Sequence, residues 1–189
     1  IQTSLSDVTI TDCIIANNSG AGLYAYGNTV VKRTMIKNNG RGISGGSIEI
    51  SNSIISGNSG IGVSVGSQSQ ITNCTVVSNA GYAIDGSSTP VINTIIWNNN
   101  SGGVQYSGCT LTNCYQNDPL FLFTAAAYQD YICIPLYNSP CVDGGNNNFV
   151  PQGDKDFYNQ DRINNSTVDI GAVEYPGILD NIIFDLNKD

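Results

Sequence analysis

An internal repeat of about twenty residues limits this chain to very few architectures. Five copies lie in the first hundred residues, and each ends in an asparagine that follows a short apolar run. A repeat of this length is too short for two helices, and its apolar residues do not follow the 3.6-residue period of a helix. The asparagines stand 21, 19, 21 and 20 residues apart, at Asn18, Asn39, Asn58, Asn79 and Asn99.

Apolar anchors return in phase with this asparagine. One set precedes the block, at Ile10, Val31, Ile50, Ile71, Val91 and Leu111. Strand-length apolar segments separated by Asn or Gly fit one triangular turn of a parallel β-solenoid, whose turns stack roughly 4.8 Å apart. The sequence therefore predicts an all-β parallel solenoid of about six rungs over residues 1–116.

The asparagine column is predicted to be structural. An Asn placed above an Asn passes amide hydrogen bonds along the solenoid axis, and Asn tolerates the left-handed backbone of a sharp bend. We therefore expect the five asparagines to form a ladder.

The residues after 116 no longer follow the repeat. They carry four short motifs in order: Asp118-Pro119-Leu120-Phe121, Asn138-Ser139-Pro140-Cys141, Asp161-Arg162 and Val168-Asp169-Ile170-Gly171-Ala172-Val173-Glu174. An open solenoid exposes the edge of its last rung, so we interpret residues 117–189 as a closing module.

Both parts resemble known families. The repeat resembles the right-handed parallel β-helix repeat of the pectate-lyase-like superfamily. The series of tail motifs is similar to the C-terminal module called choice-of-anchor Q, found in bacterial secreted β-helix proteins. The resemblance implies a right-handed β-helix with a C-terminal module and a secreted or cell-surface location.

Strand alternation predicts a polar column on one face of the solenoid. If the apolar anchors of that face point inward, the residues that follow them point outward. A flat polar surface with a few aromatic rings suits stacking against sugars. We therefore predict a non-catalytic scaffold that binds a polysaccharide or cell-surface glycan through Tyr24, Tyr26, Arg41, Tyr82, Asp85 and Gln105, with Ser44 and Ser64 between them.

Two alternatives stay open. β-helix relatives include lyases and epimerases of acidic polysaccharides, in which Arg41 or Lys37 would act as the base. Calcium, the one cofactor considered, would then be held by Asp154, Asp156 and Asp161. The simpler interpretation of both sets is a solvated surface. The second alternative is a structural spacer within a longer surface protein.

Alternation also predicts an apolar stripe that points outward from another face. A stripe of this kind usually marks a contact, and we expect the tail to cover it. The apolar segments 120–123 and 131–132 are expected to pack on the last turns. The stripe consists of Ile14, Met35, Ile54, Thr75, Ile95 and Tyr115.

Two of the six cysteines flank a predicted turn, and Cys133–Cys141 is the favoured disulfide. Cys109 and Cys114 form a weaker second pair. Cys13 and Cys74 lie in one column three rungs apart, too far for a bridge, and are predicted to be small buried apolar residues.

Composition excludes several classes of function. The formal net charge of −8 opposes binding to nucleic acid, and the absence of histidine excludes mechanisms that need imidazole. No apolar run approaches eighteen residues, and no basic segment opens the chain, so the sequence predicts neither membrane insertion nor a signal peptide. We expect the natural protein to carry further rungs upstream.

Overall fold

The computed structural model describes residues 1–3, 7–121 and 133–177. This part of the chain holds short strands and two 3-10 turns, Asn100–Gly102 and Asn147–Phe149. The strands are, in order, β1 (Val8–Thr11), β2 (Ile14–Ala16), β3 (Ala21–Ala25), β4 (Thr29–Lys32), β5 (Met35–Lys37), β6 (Arg41–Gly45), β7 (Ile48–Ser51), β8 (Ile54–Ser56), β9 (Val63–Val65), β10 (Gln70–Thr72), β11 (Thr75–Val77), β12 (Ile84–Ile92), β13 (Ile95–Trp97) and β14 (Tyr106–Thr112).

Each strand pairs in parallel with a strand one turn later, which produces three faces. The first face contains β1, β4, β7, β10 and the end of β12. The second contains β2, β5, β8, β11 and β13. The third contains β3, β6, β9 and the start of β12. The predicted parallel β-solenoid is confirmed, with about five turns followed by β14 as the start of a sixth.

Left-handed residues turn the chain at two of the three corners. The corner between the second and third faces uses Asn17, Asn38, Gly57, Ser78 and Asn98, all at positive φ. Left-handed backbone costs most residues roughly 1–2 kcal/mol, and Gly and Asn tolerate it best. The recurrence of Asn before the ladder position follows from this requirement. The corner between the first and second faces uses Asp12, Arg33, Asn52, Asn73, Asn93 and Asn113 in the same way.

The core fills the interior of the coil. Each face contributes at least one inward aliphatic residue per turn, and stacked turns place these residues over one another. Most are fully buried, among them Leu23, Val31, Ile36, Ile43, Ile50, Ile55, Val63, Ile71, Val76, Ile84, Val91 and Ile96.

The asparagine ladder runs the length of the coil. Asn18 Nδ2 donates to Asn39 Oδ1 at 2.8 Å, and Asn39 donates to Asn58 at 3.1 Å. Asn58 donates to Asn79 at 2.8 Å, and Asn79 donates to Asn99 at 2.9 Å. Each accepting oxygen also receives the backbone N–H of the preceding ladder residue. Four of the five side chains are buried, so these bonds are shielded from water.

Small residues make room for the ladder at the start of the third face. A Cβ on Gly62 would lie 2.9 Å from the ladder amide of Asn79, closer than atoms normally approach. Gly22 and Gly42 face Asn39 and Asn58, the ladder residues of the next turn, in the same way. The glycine at this position therefore has a packing role in these three repeats.

The tail covers the second face. Met35, Ile54, Thr75 and Ile95 are buried although they point away from the coil interior. Ala172 N–H donates to Thr75 Oγ1 at 3.0 Å. The prediction that the tail covers this stripe is confirmed at these four positions. The apolar tail residues in the same cluster are Phe121, Cys133, Ile134, Cys141, Ile170 and Val173.

The cover does not reach the whole stripe. Ile14, in the first turn, is 71% exposed, so the prediction is wrong there. Tyr115, at the other end, is half-buried. Segments 122–123 and 131–132, which were expected to pack on the last turns, lie outside the described residues.

The predicted disulfide is wrong. Cys133 and Cys141 are free and buried in the tail cluster, and burial raises the pKa of each thiol to about 12. Cys109 and Cys114 are also free. Cys74 is fully buried as predicted, whereas Cys13, in the first turn, is exposed, so the prediction is wrong for Cys13. A turn between two cysteines was therefore insufficient to indicate a bridge.

Within residues 1–3, 7–121 and 133–177, no helix is long and apolar enough to cross a membrane.

Candidate functional site

The third face presents a straight column of outward residues. Tyr24 pairs with Ser44, Ser44 with Ser64, and Ser64 with Asp85. Ser107 of β14 continues the register beyond Asp85. Parallel pairing spaces these side chains roughly 4.8 Å apart along the axis. We call Tyr24, Ser44, Ser64, Asp85 and Ser107 the polar column.

Two tyrosine rings stand at one end of the polar column. Tyr24 is 40% exposed and Tyr26 is 56% exposed. In the next two turns Gly46 and Gly66 take the positions equivalent to Tyr26, so no side chain stands there. The two exposed rings therefore adjoin the partly exposed residues Ser44 and Ser64 and two positions without a side chain.

The remaining predicted contacts flank the column. Arg41 begins β6 and is exposed. Tyr82 precedes β12 and is half-buried. Lys37 ends β5 on the second face and is half-buried, so a corner of the solenoid separates it from Arg41.

Gln105 does not belong to the polar column. The 3-10 turn Asn100–Gly102 lengthens the last repeat, so Tyr106 and Ser107, rather than Val104 and Gln105, take the paired positions beside β12. Val104, the apolar residue before Gln105, is 67% exposed and does not enter the core as the apolar anchors of this face do in earlier turns. The prediction for Gln105 assumed the regular spacing of earlier repeats, and the inserted turn broke that spacing.

Gln105 instead ends the asparagine ladder. Its Oε1 accepts the backbone N–H of Asn99 at 2.8 Å. Its Nε2 donates to the carbonyls of Asn99 and Gly103 at 2.8 and 2.7 Å. The side chain thus replaces the acceptor that a sixth ladder asparagine would have supplied.

Replacement of Gln105 by Ala is expected to destabilise the fold by about 1–2 kcal/mol, because Asn99 loses its acceptor at a partly buried position. Urea unfolding followed by circular dichroism measures the change. Gln70→Ala is the matched control, since exposed Gln70 makes a side-chain bond within its own strand. Equal losses in the two variants would contradict the capping role.

The three tail aspartates predicted as calcium ligands have separate partners. Asp154 accepts from Asn52 Nδ2 at 2.8 Å, and Asp161 accepts from Lys155 Nζ at 2.6 Å. Asp156 is buried and accepts backbone N–H groups through both carboxylate oxygens. Among the residues that the structure describes, no group of three or more acidic or cysteine side chains would hold a metal ion.

Asp156 belongs instead to a buried ionic cluster within the tail. Arg162 is 1% exposed, and its Nη2 lies 3.2 Å from Glu174 Oε1. The same nitrogen donates to the carbonyls of Asp169 and Gly171 at 2.8 Å. Asp169 receives the N–H groups of Asp143 and Tyr175. We call Asp156, Arg162, Asp169 and Glu174 the tail cluster.

Three members of the tail cluster, Arg162, Asp169 and Glu174, lie in the tail motifs of the sequence, from which no role was predicted for them. The signal was available in a weak form, because Asp169, Glu174 and Arg162 stand within thirteen residues around an apolar run. A run of sequence does not show which charged side chains are buried together. That required the folded tail.

Comparison with known proteins addresses the fold. A family described as the right handed beta helix region matches residues 1–121. The chain belongs to this right-handed β-helix family. No curated protein and no solved structure matches the chain significantly. The function proposed for this β-helix protein therefore rests on the arrangement of its own residues.

Proposed function

We propose that this β-helix protein is a non-catalytic scaffold that binds glycans across its third face, at the cell surface or outside the cell. The exposure of Tyr24 and Tyr26 carries the proposal, because large aromatic rings on a flat polar sheet suit contact with sugar C–H faces. Ser44 and Ser64 supply hydroxyl groups for the sugar hydroxyls.

The contrast between the faces supports this choice. The second face carries apolar outward residues and is covered by the tail. The polar column lies on another side of the coil, and its members range from half-buried to exposed. The resemblance of the tail to a choice-of-anchor Q module, and of the repeat to pectate-lyase-like proteins, supports an extracellular location.

The test compares glycan-array binding of the wild type with a Tyr24→Ala and Tyr26→Ala double variant. Aromatic contacts contribute about 0.5–1.5 kcal/mol each, so the two together predict a loss of affinity between about fivefold and about a hundredfold. Tyr137→Ala is the matched control, because this tail tyrosine is 74% exposed and lies outside the polar column.

Each other outcome selects another function. Equal binding by the double variant would remove the third face as the site. Release of unsaturated uronate from an acidic polysaccharide, abolished by Arg41→Ala, would favour the lyase or epimerase. Absence of both binding and activity would favour a structural spacer.

A further inference from the structure

The tail cluster contains more acid than base. Asp156, Asp169 and Glu174 bring three carboxyl groups to one guanidinium, and all four residues are at most 4% exposed. If every group were ionised, the buried cluster would carry a charge of −2. Uncompensated charge in a buried site is strongly unfavourable. Protonation of one carboxyl group, which lowers the net charge of the cluster to −1, is therefore favoured.

Neighbouring groups do not balance this excess. Asp143 and Asp154 face the cluster from within the tail, and both are acidic. Cys141 lies near Asp169, and burial raises the pKa of its thiol to about 12. On the solenoid side, Cys74 faces Arg162, and burial raises its pKa to about 12 as well. Both thiols are therefore neutral at ordinary pH and add no charge. Arg33, a cation of the solenoid that interacts with Asp154, is already paired with Asp12.

Glu174 is the carboxyl group best placed to hold the proton. Its pKa is raised to about 8, mainly by burial; Arg162 opposes the rise, and the nearby Asp169 and Asp156 contribute to it. Burial also raises the pKa values of Asp156 and Asp169. Those two carboxylates, however, receive backbone N–H groups on both oxygens. Donors of this kind favour the ionised form, which leaves Glu174 as the acid.

A protonated Glu174 fits the observed hydrogen bonds. Its Oε1 accepts from Asp169 N–H at 3.0 Å and lies 3.2 Å from Arg162 Nη2. A proton on Oε2 leaves both contacts intact. The arrangement therefore does not require an ionised Glu174.

The cluster stands where the tail meets the solenoid. Gly171 N–H donates to the carbonyl of Asn93 at 2.8 Å, and Ala172 N–H donates to Thr75. Both donors lie between the two acids Asp169 and Glu174. A change in the charge of the cluster therefore acts directly on the segment that docks the tail.

We propose that the tail is a pH-sensitive clasp on the second face: it docks tightly while the tail cluster holds a proton on Glu174, and it loosens when that proton leaves. Loosening would uncover the apolar stripe of Met35, Ile54 and Ile95, which the closed tail keeps from solvent.

The sign follows from proton linkage. Glu174 binds its proton more tightly in the docked tail than in the free one, so its contribution to docking is complete below the ordinary glutamate pKa. It is lost as the pH rises from there through about 8. In this interval the docking equilibrium constant falls by up to about tenfold per pH unit, the limit for one proton.

Trp97 reports the state of the clasp. It is the single tryptophan of the chain, and its ring lies 6.4 Å from that of Phe121 in the cluster beneath the tail. Its emission is followed during urea titrations at several values between pH 5 and pH 9. We expect the midpoint to fall steadily in the wild type and to fall less steeply in Glu174→Gln, which keeps the Oε1 acceptor but has no proton to lose.

The wild-type protein tests the proposal independently of the variant. A wild-type midpoint that stays constant from pH 5 to pH 9 would overturn the proposal, even if Glu174→Gln fails to fold. An equal pH slope in a folded Glu174→Gln would also overturn it. Circular dichroism of the solenoid strands shows whether the variant has folded.

Discussion

Replacement of Asn58 by Asp is expected to lower the free energy of unfolding by at least about 3 kcal/mol. Asn58 is 1% exposed, and its Nδ2 donates to Asn79 Oδ1 and to the carbonyl of Ile36. A carboxylate would place an acceptor against two acceptors and would bury a charge with no partner. Urea or thermal unfolding followed by circular dichroism measures the loss.

Asn18→Asp is the matched control for this experiment. Asn18 occupies the same column and donates to Asn39, but it is exposed at the end of the ladder. Water can solvate the new carboxylate there, so we expect a loss below about 1 kcal/mol. Similar losses of unfolding free energy at the two positions would contradict the conclusion that burial makes the ladder bonds important for stability.

Replacement of Arg162 by Met is expected to destabilise the docked tail by about 3–5 kcal/mol. The variant fills similar volume but leaves the buried carboxylates Asp156 and Asp169 without a cation, and it removes the donor to the carbonyls of Asp169 and Gly171. Trp97 emission and its quenching by acrylamide measure the release of the tail. Arg162→Lys is expected to recover little, because one ammonium group does not reproduce the planar guanidinium.

Lys155→Met provides the comparison for a surface ion pair. Lys155 contacts Asp161 at 2.6 Å, but both side chains are well exposed. Exposed pairs contribute about 0–1 kcal/mol, so we expect little change in Trp97 emission. A release of the tail equal to that in Arg162→Met would mean that burial of the pair is irrelevant.

The solenoid could be predicted from sequence because its geometry is periodic. Each turn repeats one set of backbone constraints, so the asparagines that tolerate a left-handed corner and the aliphatic residues that fill the coil return in register. The polar column was placed correctly from Tyr24 to Asp85 for the same reason. The prediction failed at Gln105, where the 3-10 turn Asn100–Gly102 changed the spacing.

The sequence by itself determined the coil, its ladder and the outward direction of Tyr24, because these depend on contacts between equivalent residues about twenty positions apart. The tertiary structure alone decided what the tail does. Cys133 and Cys141 were free rather than bridged, and Asp156 proved to be a buried acceptor of backbone N–H groups. The tail has no repeat from which the contacts of one residue can be extrapolated to another. The partners of Arg162 come from separate segments of the tail, which only the fold brings together around its buried charge.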